Sequence, residues 1–130
     1  MSSSPLEVVD AYRAAAQRGD WDAAFAFFSP ELKFRIPGRS PFAGEHHGRE
    51  AAMRYIEHAR ALSSEHDVEV EVVDTLVSAE RVALVVREWL HLKTGTVEIN
   101  RANVYRIVGG QIVEVSIYEA DQYAVDALFS

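Results

Sequence analysis

The hydrophobic period of this chain changes from helical to two between Leu62 and Val68, and that change constrains the fold more than any other feature. Up to Leu62 the apolar residues recur mainly at helical spacing, interrupted by one strand-like run. From Val68 onward the period is two, with Val68, Val70 and Val72 alternating with Glu69, Glu71 and Val73. Three helical segments followed by successive strands predict an α+β domain with its helices on one face of a twisted antiparallel sheet. The 130 residues suffice for one domain, spanning residues 1–130, that buries about two thirds of its unfolded surface.

Local signals set the element boundaries. Ser4, Pro5 and Glu7 form a capping box, after which Leu6, Val9, Tyr12 and Ala16 fall on one helical face. Gly19 ends that helix and Asp20 caps a second, in which Trp21, Ala24, Phe25 and Phe28 face one way until Ser29-Pro30 stops it. A strand-like run, Leu32 to Ile36, leads into a long loop punctuated by Pro37, Gly38, Pro41, Gly44 and Gly48. A loop of that length in a small domain is expected to serve function, here as a rim or lid over a pocket. The third helix runs from Arg49 to Leu62, with Ala52, Tyr55, Ile56 and Ala59 as its buried stripe. Strands are then predicted over Arg81 to Leu92, Thr96 to Val108 and Gln111 to Glu119, joined at Thr94-Gly95 and Gly109-Gly110. A short helix, Asp121 to Phe129, finishes the chain.

Charge and cysteine content remove whole classes of function. With 13 basic and 20 acidic side chains the formal net charge is −7, so no positive field draws in phosphate backbones or anionic lipid. Nucleic acid and membrane are not expected partners. The absence of cysteine excludes a disulfide framework, a thiolate metal site and a cysteine nucleophile. The first residues lack a basic region and an apolar core, which reads as a cytoplasmic protein without a leader.

Curled strands packed against helices enclose a concave space, the usual setting of a small-ligand site. Alternation groups Val85, Arg87, Trp89 and His91 on one strand face, and Arg101, Asn103, Tyr105 and Ile107 on a face of the next. Alternation alone does not say which faces line a cavity. These two sets mix aromatic rings with hydrogen-bonding heads and are the ones expected to do so.

The chain resembles the SnoaL-like branch of the nuclear transport factor 2-like fold, which includes ketosteroid isomerases. The likeness is carried by Val8-Val9-Asp10-Ala11-Tyr12 with Gly19-Asp20, by Pro37 to Gly44 with Gly48-Arg49-Glu50-Ala51, and by Gly110 to Glu114 with Asp121-Gln122-Tyr123. It implies a cone-shaped α+β barrel, three N-terminal helices packed on a curved antiparallel sheet enclosing a pocket, and a homodimer through the convex sheet. It also implies that Tyr12 and Asn103 stand where ketosteroid isomerases hold an oxyanion. The base of those enzymes falls on Ile36, the acid/base aspartate of related cyclases near Ile117, and the arginine and aspartate that open epoxides near Arg87 and Trp89.

Isoleucine moves no proton, so a base must come from elsewhere. His91, Glu119 and the loop residues His46 and His47 are the candidates, His91 foremost because histidine titrates near neutrality. His58 and His66 read as surface residues. No phosphate-cradling loop or nucleophile elbow is present, and chemistry without cofactor or metal is the expectation. The function expected is cofactor-independent isomerisation or cyclisation of a small hydrophobic carbonyl compound. Tyr12, Asn103 and His91 would be catalytic, and Phe34, Ile36, Tyr55, Arg87, Trp89, Tyr105, Ile117 and Glu119 would line the site. A non-catalytic ligand-binding module of the same fold, or epoxide opening by a rearranged acid pair, are the alternatives.

Overall fold

The first helix starts where the sequence places it. In the computed structural model, which describes residues 3–130, the Glu7 amide donates to Ser4 Oγ and the Ser4 amide donates to Glu7 Oε1, each at 3.2 Å. Met1 and Ser2, part of the stretch read above as lacking a leader, lie outside the described residues. Helix α1 (Pro5–Gln17) and the short α2 (Trp21–Phe25) form the N-terminal hairpin. Strands β1 (Phe28–Ile36) and β2 (Gly44–His47) follow, then α3 (Arg49–Leu62). Four long strands come next, β3 (His66–Val77), β4 (Arg81–Leu92), β5 (Gly95–Val108) and β6 (Gln111–Glu119), and α4 (Gln122–Leu128) ends the chain.

Two segments differ from the sequence reading. The second helix stops at Phe25, because the Ile112 amide donates to Phe27 O at 2.8 Å and Phe28 pairs with Ile112. Sheet pairing thus overrides the helical spacing of Phe28. The long loop is irregular only from Pro37 to Ala43, since Gly44–His47 folds back as β2 against Lys33 to Ile36. A glycine, a glutamate and two histidines carry no apolar alternation, so this short strand leaves no signal in the sequence.

The six strands form one sheet in the order β2-β1-β6-β5-β4-β3. Only β1 with β6 pairs parallel. The sheet curves over the helices without closing, and β2 and β3 are its free edges. Val9 of α1, Phe28 and Leu32 of β1, Val82 and Leu90 of β4 and Ile112 of β6 are almost completely buried between the layers. Burying each large apolar side chain contributes roughly 1.5–3 kcal/mol against the entropy of ordering the chain. On the opposite face Val85 and Tyr118 stay exposed, both in register with Ala102 between them. Among the described residues, no helix is long and apolar enough to cross a membrane.

The Pro37–Ala43 turn is fastened to α4. The Arg39 amide donates to Asp126 Oδ1 at 3.0 Å, and Gln122 Nε2 donates to Pro37 O at 3.4 Å. Gly38 makes this approach possible with φ of +94°, and a Cβ there would collide with both Asp126 Oδ1 and Gln122 Nε2. Gly38→Ala should therefore lower unfolding stability by about 1–3 kcal/mol in urea titration. Gly44→Ala, at a left-handed position with open space around it, should cost less.

Candidate active site

A cavity of about 510 Å³ opens between α1, α3 and the concave side of the sheet. Its wall is mostly aromatic and aliphatic: Phe28, Phe34, Tyr55, Leu84, Val86 and Ile117 contribute apolar surface, and Trp21 stands among the lining residues beneath the Arg60 guanidinium, 4.7 Å away. That volume falls within the range of about 300–1,000 Å³ typical of small-molecule sites. Polar groups reach the cavity from β4 and β5, where Glu88, Arg101 and Asn103 point inward, and from the tyrosines Tyr12, Tyr55 and Tyr105.

Arg101 organises these groups. Its side chain is 7% exposed, and it meets the 1% exposed Glu119 carboxylate in a two-pronged contact, Nε to Oε1 at 3.0 Å and Nη2 to Oε2 at 2.5 Å. The guanidinium also lies 3.4 Å from Glu88 Oε2 and donates to the Tyr55 hydroxyl at 3.3 Å. Four elements, β4, β5, β6 and α3, are thereby tied to one cation. Burial alone would weaken its hold on the proton, but Glu88, Tyr55 and Glu119 outweigh that and raise its pKa. Burial likewise raises the Glu119 carboxyl, with Arg101 opposing.

Burial also pushes the phenols up. Tyr12 is raised well above its ordinary value by burial, with the neighbouring Tyr105 and the charge of Glu88 adding to it. Tyr105 is raised by burial and by Glu88, and Tyr55 by burial, with Arg101 opposing. All three rings therefore keep their hydroxyl protons near neutral pH and serve as hydrogen-bond donors. The Tyr12 ring packs 5.2 Å from Phe28 and 6.1 Å from Tyr105, which fixes the direction of its hydroxyl. Asn103 Oδ1 is buried with no hydrogen-bond partner among the described residues, an acceptor left open on the cavity wall.

The sequence-predicted residues divide into two groups. Tyr12, Asn103, Phe34, Tyr55, Tyr105 and Ile117 all line the cavity. His91, Arg87 and Trp89 do not, because β4 presents its other face: Leu84 pairs with Asn103 and Val86 with Arg101. Arg87 instead makes an exposed ion pair with Glu71 at 3.8 Å, and His91 hydrogen-bonds Thr96 at 3.1 Å. Ile36, two residues past Phe34 along β1, is buried in the core beyond the cavity wall. Glu119, the cross-strand partner of Arg101, braces it on the same sheet face without lining the cavity. Glu88, not singled out from the sequence, lines it beside Arg101, while the carboxylates Asp67 and Glu69 line it from β3.

The loop histidines are engaged locally. His46 Nε2 sits 2.7 Å from Phe42 O and His47 Nε2 3.3 Å from Glu45, while His58 packs half-buried on Phe42 and Phe129. No residue from Pro37 to Gly48 lines the cavity, so this segment is no lid over it. Its Phe42 ring packs on Tyr55 at 5.7 Å and supports the cavity wall from outside.

A family model described as the SnoaL-like domain matches residues 9–115. The chain belongs to the SnoaL-like domain family. Comparison with curated proteins gives no match. Among solved structures, Bal32a from a soil-derived mobile gene cassette is similar to this SnoaL-like domain with a TM-score of 0.85 at 23% identity, over 97% of this chain and 96% of its own. An NTF2-like protein from Burkholderia xenovorans LB400 covers both chains completely at 21% identity and a TM-score of 0.74. TerC, co-crystallised with polyporic acid, reaches 0.80 at 14% identity over 98% of each chain. Likeness at these identities shows the shared fold, and the chemistry must be argued from the side chains.

Arg101→Met would leave Glu88 and Glu119 without their cation, and breaking a buried pair in this way costs about 3–5 kcal/mol. Because the folded state holds the Glu119 proton more tightly than the unfolded chain, this residue favours folding most below its ordinary value of 4.5. That contribution fades as pH rises through the raised folded value. Loss of Arg101 raises the folded value further, so the stability deficit should be larger at pH 8 than at pH 5 in urea titrations.

Proposed function

We propose that this SnoaL-like domain is a cofactor-independent acid/base enzyme that isomerises or cyclises a small hydrophobic carbonyl compound, with Glu88 as proton carrier. The observation that carries the reading is a carboxylate, Glu88, held 3.4 Å from a buried guanidinium in a cavity walled mostly by apolar side chains and by protonated phenols. Arg101 holds Glu88 in place against the apolar wall, an arrangement in which a carboxylate can remove a proton from carbon adjacent to a carbonyl. The enolate oxygen that develops would be met by the hydroxyls of Tyr12 and Tyr105. Such donors are worth on the order of 3 kcal/mol each when aimed at developing charge. Protonated Glu88 would then return the proton at a different carbon, or to oxygen after ring closure. Asn103 Oδ1 would accept from a hydroxyl on the ligand and set its orientation.

The pairing of two carboxylates on one arginine also favours a second reading, water opening an epoxide with one carboxyl as base and the other as acid. Glu119 does not line the cavity, so the acid in that scheme would have to act through Arg101, which makes proton shuttling by Glu88 the better-supported chemistry. We further infer a homodimer through the outer sheet face, supported by the exposed apolar residues Val85 and Tyr118 on either side of Ala102. Sedimentation should give a dimer, and Tyr118→Arg should give a monomer of unchanged circular dichroism.

A 5-ene-3-ketosteroid is a suitable probe substrate. Glu88→Gln should lower kcat by about 10²–10⁴-fold and Tyr12→Phe by about 10²-fold, while ligand affinity changes little. Equal losses of turnover and affinity in both variants would favour a binding module, and unchanged turnover in Glu88→Gln would remove Glu88 as the carrier.

A further inference from the structure

On the outer side of the sheet, at the β3 edge, two histidines and a glutamate converge. His66 Nδ1 lies 3.5 Å and His91 Nε2 lies 3.4 Å from the same oxygen, Glu69 Oε1. The three ligand atoms are all within 4.8 Å of one another. His66 and Glu69 are three residues apart, an odd spacing that would send them to opposite faces of a regular strand. A bulge between them changes the pairing from His66 with His91 to Glu69 with Trp89, and so brings both side chains to the His91 face.

The backbone beneath these side chains is fixed. Ser63, buried at the end of α3, donates from Oγ to His66 O at 2.6 Å and accepts from the His91 amide at 2.8 Å, holding both histidines at a set separation. Thr96 Oγ1 sits 3.1 Å from His91 Nδ1, and a proton on Nδ1 donated to it leaves the Nε2 lone pair aimed at the cluster. His91 Nε2 is buried and has no hydrogen-bond partner among the described residues: its contact with Glu69 is close but not aligned for a hydrogen bond. A lone pair facing a carboxylate oxygen is repulsive without a cation between them.

We propose that His66, Glu69 and His91 bind a divalent transition-metal ion, zinc being the best match. Two imidazoles and a carboxylate suit zinc by ligand type, and bonds of about 2.0–2.1 Å in a tetrahedron put ligand atoms about 3.3–3.5 Å apart. The two separations from Glu69 Oε1 already have that length. The remaining histidine-to-histidine distance closes by rotation of the exposed His66 ring, which gives up its 3.1 Å contact with Asp67 O and the proton that serves it. Thr96 would then hold the His91 ring in the metal-binding tautomer, as partners behind a ligand usually do. The fourth position faces solvent, since His66 is 63% and Glu69 53% exposed. The ion would tie edge strand β3 to β4, where Asp67, Val68 and Glu69 border the cavity mouth. This assignment is independent of the acid/base chemistry proposed above.

The test is calorimetric titration of the full chain, stripped with EDTA and dialysed, with zinc chloride, together with the visible spectrum of the cobalt(II) form. One zinc per chain and the visible bands of four-coordinate cobalt are expected. His66→Gln, at an exposed position that leaves the fold intact, and Glu69→Gln should each weaken binding roughly ten-fold or more. His47→Gln should leave it unchanged. Absence of saturable binding, equal affinity in the wild type and the His66 and Glu69 variants, or loss of binding in His47→Gln would overturn the proposal.

Discussion

The structure turns on one buried cation. Arg101 sits on the central strand β5 facing the cavity, and the neighbouring strands and α3 each send it a partner: Glu88 from β4, Glu119 from β6 and the Tyr55 hydroxyl from α3. Withdrawing three charges from water costs several kcal/mol apiece, and apolar residues of equal volume commonly stabilise a core as well or better. Stability alone therefore gives no reason for this group of residues. An exposed glutamate would be solvated and aimless, whereas Glu88 is oriented by Arg101, 3.4 Å away, among the apolar side chains of the cavity. This is the environment in which a weak base acts on a weak carbon acid.

The rest of the domain holds that environment in place. The parallel β1–β6 pair brings Phe34 beside Val115, and Phe42 from the Pro37–Ala43 turn packs behind Tyr55. Tyr55 in turn stacks on Phe129 beyond α4 at 5.1 Å. The glycine that lets the turn approach α4 thus supports the ring whose hydroxyl accepts from Arg101. Near one mouth, Trp21 under Arg60 links the helical hairpin to α3.

Most of the fold is legible in the sequence because its signals are local. The Ser4 capping box, the Arg49–Leu62 stripe and the Gly109-Gly110 turn each state their own structure. Strand β2 and the start of β1 are not legible, because both depend on pairing with distant residues. The site is half legible. Tyr12, Asn103 and Tyr105 lie on faces that alternation identifies, but β4 runs apolar on both sides from Val82 to Val86, so composition does not choose between them. The turn does choose. A two-residue connection between antiparallel strands pairs residues of opposite parity, as Leu92 with Gly95 and Glu88 with Ile99 show. With Arg101, Asn103 and Tyr105 facing the cavity, the even-numbered Leu84, Val86 and Glu88 have to face it too. The length of the Lys93-Thr94 turn therefore selects Glu88 over His91 as the charged group of β4 that reaches the cavity. The His66–Glu69–His91 cluster is hidden for a related reason, since the bulge that assembles it leaves no mark on the hydrophobic pattern.

On the proposed mechanism Glu88, held by Arg101, moves a proton to and from carbon within the cavity. Deuterium uptake at the carbon next to the carbonyl of a bound ketone, followed by NMR in deuterated water, tests it most directly. Uptake should be catalysed by the wild type and by His91→Gln, and abolished in Glu88→Gln at saturating ketone. Uptake that survives in Glu88→Gln, or that disappears in His91→Gln, would contradict it.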